Sequence, residues 1–362
     1  MTAKHTDLFD ETLKIAAKHL PLDERQLEIL LGASRGQREK LYSLARSCRR
    51  EYFGDRLFGY GFIYFSTYCR NNCNFCFYRK SNSEALRYRK TKDEVLRTSR
   101  ALAESGVHLL DLTLGEDPEY VLDDDGYDAL LDIAAEMRAS TGLPLMISPG
   151  VLENEDRARK AADTGIEFYA CYQETHNRPL FSRLRQGQDY QTRWDAKTNA
   201  RKAGMLVEEG ILAGVGEELS DIAHSIATMR EMRAAQVRVM SFVPQKGVAL
   251  RRSIEEGLYL RELNTIAVMR VAMPDRFIPA SLDVAGKSGL KDRLDAGANI
   301  ITSLIMPDSG FAGVSNATLD IDSGERSLPG ILDTLDECGL QMGSREEFEN
   351  ALLTLARSAA ER

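Results

Sequence analysis

The sequence has no run of apolar residues near the roughly 18 that a membrane-spanning helix requires, so no such helix is expected. Nothing resembles a signal peptide. The stretch from Met1 to Lys18 is broken by Lys4, Asp7, Asp10, Glu11 and Lys14, whereas a signal peptide carries an uninterrupted apolar core. A cytoplasmic chain is the expectation. A basic surplus is lacking too: Lys and Arg number 47 against 55 Asp and Glu, for a net charge of −8. That speaks against a nucleic-acid partner, which selects cationic surfaces, and leaves a small-molecule enzyme open. Cysteine is scarce, with 6 in 362 residues. A disulfide scaffold would be shorter and denser in cysteine. Low-complexity tracts, internal repeats and a clear interdomain linker are also absent.

An ordinary apolar fraction, 43%, is enough for a sizeable core. Residues 8–53 read as helices, with Leu27, Leu30 and Leu31, then Leu41, Leu44 and Ala45, at helical spacing. Strand and helix patterns then alternate. Strands are expected at 60–66, 108–114, 144–148, 166–171, 205–212, 236–243, 276–281 and 298–302, with helices between them. Thr91-Lys-Asp-Glu94 forms a capping box that opens a helix ending near Gly106. Eight strand signals separated by helices argue for an α/β fold with a parallel sheet, best closed as a (β/α)8 TIM-type barrel. An open doubly wound sheet is the alternative. The expected division is a helical extension over 1–58, a barrel over 59–305 and a helical segment over 306–362 packed on the barrel.

Three of the six cysteines crowd directly after the first strand, in Thr67-Tyr-Cys69-Arg-Asn-Asn-Cys73-Asn-Phe-Cys76. Asn71, Asn72 and Asn74 favour irregular backbone that can wrap a ligand. Clusters of the [4Fe–4S] type normally take four thiolates. Three leave one iron open for chemistry. Structural zinc would need a fourth ligand. No second cysteine pair exists, and the nearest later histidine, His108, falls in an expected strand. Cys48, Cys171 and Cys338 are too dispersed for a second cluster and read as buried structural thiols.

The C-x3-C-x2-C spacing, with Phe75 before the third cysteine, resembles the radical S-adenosylmethionine (SAM) superfamily. That resemblance implies a full or partial barrel, a [4Fe–4S] cluster on Cys69, Cys73 and Cys76, and SAM chelating the open iron. It also implies cleavage of SAM to a 5′-deoxyadenosyl radical, and places Phe75 near the adenine. Gly115-Glu116-Asp-Pro is similar to the superfamily's glycine–glutamate segment beside the SAM amino group, with Leu114 in place of its first glycine. Glu174, after the fourth strand, and Arg193, 19 residues on, offer a carboxylate and a guanidinium suited to an amino-acid ligand. They resemble the SAM-binding pair of the hydrogenase-maturase and biotin-synthase branch. A surface ion pair is the plainer reading.

Asp111 and Arg238 are charges inside strands expected to be buried, where an unpaired ion costs several kcal/mol. Ser281 and Asp283 close the seventh strand. In a barrel all four would point to the mouth, Arg238 toward a carboxylate and Asp111 and Asp283 toward amines. An internal Arg–Asp pair with no ligand is equally compatible.

Longer blocks then resemble the methylornithine synthase family, which performs the first step of pyrrolysine biosynthesis. Among them are Asp-Leu-Thr-Leu-Gly-Glu-Asp-Pro, Tyr-Gln-Glu-Thr, Val-Arg-Val-Met-Ser-Phe-Val-Pro-Gln and Ile-Pro-Ala-Ser-Leu-Asp. This second resemblance implies a carbon-skeleton mutase that converts L-lysine to (3R)-3-methyl-D-ornithine by radical fragmentation and recombination. A biotin-synthase-like or maturase-like enzyme with another small substrate remains open. So do a non-catalytic iron–sulfur electron-transfer protein and a zinc module. Between residues 70 and 92 stand seven Arg or Lys and one acidic residue, Glu84. They are either a solvated face or a docking patch for an acidic flavodoxin or ferredoxin-type reductant.

Overall fold

The computed structural model describes residues 3–251, 257–311, 313 and 323–360. Eight parallel strands form a nearly closed barrel: β1 Arg56–Ser66, β2 Leu109–Leu114, β3 Leu145–Ser148, β4 Phe168–Ala170, β5 Leu206–Ala213, β6 Gln236–Ser241, β7 Pro279–Ser281 and β8 Ile300–Leu304. They run β6-β5-β4-β3-β2-β1-β8-β7 around the wall. Between β7 and β6 only a parallel bridge joins Gln236 to Phe277. It is made by Val237 N–H to the Phe277 carbonyl at 3.0 Å and Phe277 N–H to the Ala235 carbonyl at 3.1 Å. The strands are buried on both faces, as a parallel sheet under helices must be.

Boundaries differ from the sequence reading in ways the packing explains. β1 starts at Arg56, ahead of the expected residue 60, because a two-residue strand, β9 Gln341–Met342, pairs with Arg56 and Leu57. A ninth strand so short gives no periodicity to read. The segment after β4 holds a helix at Arg178–Leu184, opened by the Asn177 side chain, which accepts from Leu180 N–H at 3.0 Å, and by Pro179 at its start. The capping box forms as expected: Thr91 opens the helix Lys92–Ser105, and Gly106 closes it at φ +96°, a conformation open to glycine at little cost.

Helices Glu24–Leu31 and Arg35–Phe53 lie against the outer helix Leu258–Ala272, where Tyr42 hydroxyl donates to Asn264 Oδ1 at 2.9 Å. The end of the barrel where the strands begin is filled by Phe58, Phe277 and Phe348 around His108. His108 accepts from Gly59 N–H at 3.1 Å and pairs with the Gly343 carbonyl at 2.8 Å. Burial holds its imidazole below the usual histidine range, so it is a neutral packing residue at the opposite end from the cysteines. It is not the fourth ligand of a zinc site. Among the described residues no helix is long and apolar enough to cross a membrane.

Candidate active site

The carboxyl ends of the barrel strands open onto two adjoining cavities. Cys69, Cys73, Cys76, Phe75, Gly115, Glu116, Glu174 and Arg193 line one, of about 170 Å³. Asp111, Arg238, Ser281 and Asp283 line the other, of about 150 Å³, together with Phe75, Cys76 and Glu174. Each residue singled out in the sequence thus reaches one of two chambers that share a wall.

The cysteine loop is irregular, as its asparagines suggest. Asn72 Oδ1 accepts from Arg79 Nε at 3.0 Å and Ser81 Oγ at 2.7 Å. Arg87 threads the loop, donating to the carbonyls of Thr67, Tyr78 and Arg79. Gly115 is needed for contact rather than conformation: a Cβ there would lie 2.2 Å from the Tyr68 carbonyl oxygen and 2.9 Å from Cys69 Cβ. A Cβ on Gly150, at φ +86°, would strike the Glu116 side chain.

The chemistry of the donor set fits an iron–sulfur cluster. Burial pushes the Cys69 thiol up to about 11. Burial, with Cys73 and Cys69 beside it, pushes Cys76 higher still. Thiols this crowded resist ionising together unless a cation takes the charge, and a metal deprotonates a coordinating thiol outright. N–H donors already face the sulfurs: Gln188 Nε2 at 3.0 Å and Arg185 Nη1 at 3.6 Å from Cys73 Sγ, and Asn71 N at 3.4 Å from Cys69 Sγ. Such donors tune cluster sulfurs.

The cavity beside the thiols carries charge of both signs, and Glu174 and Arg193 do not pair with each other, as the plainer reading had them. Glu174 pairs with Arg185 at 2.6 Å, and Arg193 pairs with Glu116 at 3.0 Å. Both pairs are buried, not surface pairs. The sequence reading missed Arg185. It leaves the end of the Arg178–Leu184 helix and turns back under Phe75, 5.2 Å from the ring centre. Burial raises the Glu174 carboxyl above the usual range despite Arg185, its Oε2 has no hydrogen-bond partner among the described atoms, and its φ is +69°. Strain at a non-glycine residue collects at functional sites. Burial also works against the charge on Glu116, but Arg193, Asn71 and Arg70 outweigh it and hold that carboxyl below its usual range.

In the second cavity the ion pair between Arg238 and Asp111 is likewise not made. Arg238 Nε donates to Glu208 at 2.6 Å, and Asp111 accepts from Thr113 Oγ1 at 2.9 Å and Ser148 Oγ at 3.2 Å. Burial, with Glu208 nearby, pushes the Asp111 carboxyl up to about 7. Arg238 Nη2 is buried without a hydrogen-bond partner among the described residues. Asp283 pairs with Arg326 at 3.2 Å, from a segment far along the chain. Ser281 Oγ accepts from Asp283 N–H at 3.3 Å. Glu208 had a readable signal: Glu208-Glu209 stands inside the apolar strand 205–212, the same anomaly that marks Asp111 and Arg238. Arg326 had none.

Two further groups find their places. The cations of residues 70–92 are not a free patch: Arg70, Arg89 and Lys92 hold Glu116, Asp117 and Glu136, Lys90 lies beside Glu94, and Arg79 and Arg87 serve the loop. Lys80 is exposed. Cys171, read as a structural thiol, is buried, on the wall of the cavity that Cys69, Cys73 and Cys76 line. Trp194 packs, stacking on Tyr190 and meeting His176 edge-on.

The model of the radical SAM superfamily matches residues 63–229. The 3-methylornithine synthase of Methanosarcina acetivorans is 39% identical over 353 residues, 97% of this chain and 98% of that one. Its counterpart from Methanosarcina barkeri is 40% identical over 96% of this chain and 97% of its own. A crystal structure of methylornithine synthase superposes with a TM-score of 0.87 at 39% identity, covering 94% of this chain and 99% of the other. A three-thiol loop at the mouth of a parallel barrel, with relatives alike from end to end, places this chain in the radical SAM superfamily and, within it, in the 3-methylornithine synthase family.

Proposed function

We propose that the chain is a carbon-skeleton mutase that converts L-lysine to (3R)-3-methyl-D-ornithine, the first step of pyrrolysine biosynthesis. The observation that carries this reading is the second cavity, in which Nη2 of buried Arg238, without a hydrogen-bond partner among the described residues, shares a chamber with Asp111 and Asp283. A diamino acid offers one carboxylate to the arginine and two ammonium groups to the acids.

Cys69, Cys73 and Cys76 would hold the cluster. Phe75, Gly115, Glu116, Glu174 and Arg193 would hold SAM, with Arg185 fixing Glu174. When bound, a [4Fe–4S] cluster and SAM supply one-electron, hydrogen-abstracting chemistry. The remaining work belongs to the protein. A skeleton that breaks and rejoins must be gripped at both ends so that neither piece drifts. Arg238 and Ser281 suit one end, Asp111 and Asp283 the other. No proton need be removed by a base, so the lack of a histidine in the chamber is no obstacle.

We take 59–305 as the catalytic barrel, with 1–58 and 306–362 as its flanking segments. Part of the last, 312, 314–322 and 361–362, lies outside the described residues. The reductant would be of the flavodoxin or ferredoxin type, meeting the face that bears exposed Lys80. Lys80→Glu should slow reduction by flavodoxin and leave reduction by dithionite unchanged.

The deciding experiment is anaerobic reconstitution with iron and sulfide, then mass spectrometry of the reduced protein with SAM and L-lysine. Methylornithine is the expected product. SAM cleavage without it, but with another small substrate, would favour a maturase-like or biotin-synthase-like reaction. A cluster EPR signal indifferent to SAM would favour electron transfer.

A further inference from the structure

Among the residues the two cavities share, one is held by its side chain on one side and by its main-chain carbonyl on the other. Tyr172, just past β4, lines the thiol cavity and the second cavity alike. Its hydroxyl donates to Glu208 Oε2 at 2.7 Å. The other oxygen of Glu208 accepts from Arg238 Nε at 2.6 Å. On the opposite side, the Tyr172 carbonyl accepts from Arg193 Nε at 3.2 Å and Nη2 at 3.0 Å. Its ring lies flat over Gly210, where a Cβ would come within 2.9 Å of it. Only a residue without a side chain permits this seat.

The next residues are fixed with equal care. Strand alternation sends Glu208 and Glu209 to opposite faces of β5. Glu209 Oε1 accepts from Gln173 N–H at 2.8 Å and Gly210 N–H at 2.9 Å, and its other oxygen meets Lys197. Lys197 also donates to Gln173 Oε1 at 3.1 Å. Glu174 is then bonded into β5, its N–H to the Gly210 carbonyl at 3.1 Å and its carbonyl to Leu212 N–H at 3.0 Å. Glu208, Glu209 and Lys197 are all fully buried. Charges are retained in such a place only when their partners are complete.

We propose that Glu208 and Tyr172 are positioning residues that tie the substrate end of the site to the cofactor end. The chain of contacts runs Arg238, Glu208, Tyr172, Arg193, with Glu209 holding Gln173 so that movement of Tyr172 is passed to Glu174. A carboxylate landing on Arg238 pulls on the guanidinium that Glu208 also holds, and Glu208 sets where Tyr172 sits. Occupancy of one chamber therefore favours the arrangement that fills the other, and linkage makes the effect reciprocal. The inference rests on the reading that Arg238 takes the substrate carboxylate and Glu174 faces SAM.

The test is equilibrium binding of SAM to the reconstituted, unreduced protein, with and without saturating L-lysine. In the unaltered protein lysine should tighten SAM binding about fivefold or more, the usual lower range of coupling between sites. Tyr172→Phe removes the hydroxyl and keeps the ring and the carbonyl, and it should bring that factor close to one. Glu208→Gln should do the same and weaken lysine binding. Glu208→Asp, which restores the charge one carbon short, should recover part of the factor. An unchanged factor in Tyr172→Phe overturns the inference, as does lysine binding in the unaltered protein with no effect on SAM. If lysine fails to bind the unaltered protein at all, the substrate reading falls and the inference with it.

Discussion

The Arg185 guanidinium donates to Glu174 at 2.6 Å, while Arg193 holds Glu116. A single residue thereby neutralises the strained carboxylate and also faces the sulfur of Cys73 at 3.6 Å. Removing one partner of a buried pair typically costs about 3–5 kcal/mol. Arg185→Met should therefore lower stability toward urea by roughly that amount and abolish the SAM-induced change in the cluster EPR spectrum. Arg185→Lys should restore stability in part.

The cysteines divide into two classes with opposite outcomes. Cys69→Ala, Cys73→Ala and Cys76→Ala should each lose most of the iron and the visible absorbance after anaerobic reconstitution. Cys48→Ala and Cys338→Ala, away from both cavities, should bind the full complement. Iron and sulfide assays settle this, and full iron in Cys73→Ala would defeat the assignment.

Gly115 gives a subtler variant. An added methyl would meet the Tyr68 carbonyl and displace the loop that carries Cys69. Gly115→Ala should bind less iron than the unaltered chain while unfolding at a similar temperature, because the clash falls on a loop end rather than on the barrel wall.

Asp111 sets a pH dependence. Its carboxyl, pushed up to about 7 by burial and by Glu208, is neutral below that pH and cannot then pair with an ammonium group. Its other neighbours, Thr113, Arg238 and Ser148, pull the other way and are already counted in that value. Lysine affinity, measured by calorimetry, should weaken on acidification below pH 7 by up to about tenfold per pH unit. It should level off above pH 7. Asp111→Asn should bind weakly at every pH. The folded chain keeps this proton where the unfolded chain has lost it. From Asp111 alone, stability therefore falls as pH rises from about 4 to about 7, the reverse of a salt-bridged carboxylate.

Strand count, barrel class, cysteine loop and both groups of pocket residues were legible because each leaves a local mark. Apolar runs mark β1 to β8, three thiols stand within eight residues, and isolated charges interrupt buried strands at Asp111 and Arg238. Pairing was not legible. Nothing local says that Glu174 takes Arg185 over Arg193, since the choice depends on how the Arg178–Leu184 helix turns over the cavity. Arg326 reaches Asp283 across 43 positions of chain and leaves no trace in spacing. Glu208 is the instructive omission. The rule that found Asp111 and Arg238 applies equally to an acidic pair inside 205–212, and weighing that pair would have put Tyr172 and Arg238 on a common partner.

The seam between β6 and β7 has a mechanical consequence. The wall is a split ring stapled at its base, where Gln236 meets Phe277. Above the staple these two edges can lean apart without breaking a ladder hydrogen bond, whereas β1 and β2 are zipped along their shared length. Compliance is thus concentrated on the side that carries Arg238 and Ser281, opposite the rigid flank from which the cysteine loop emerges.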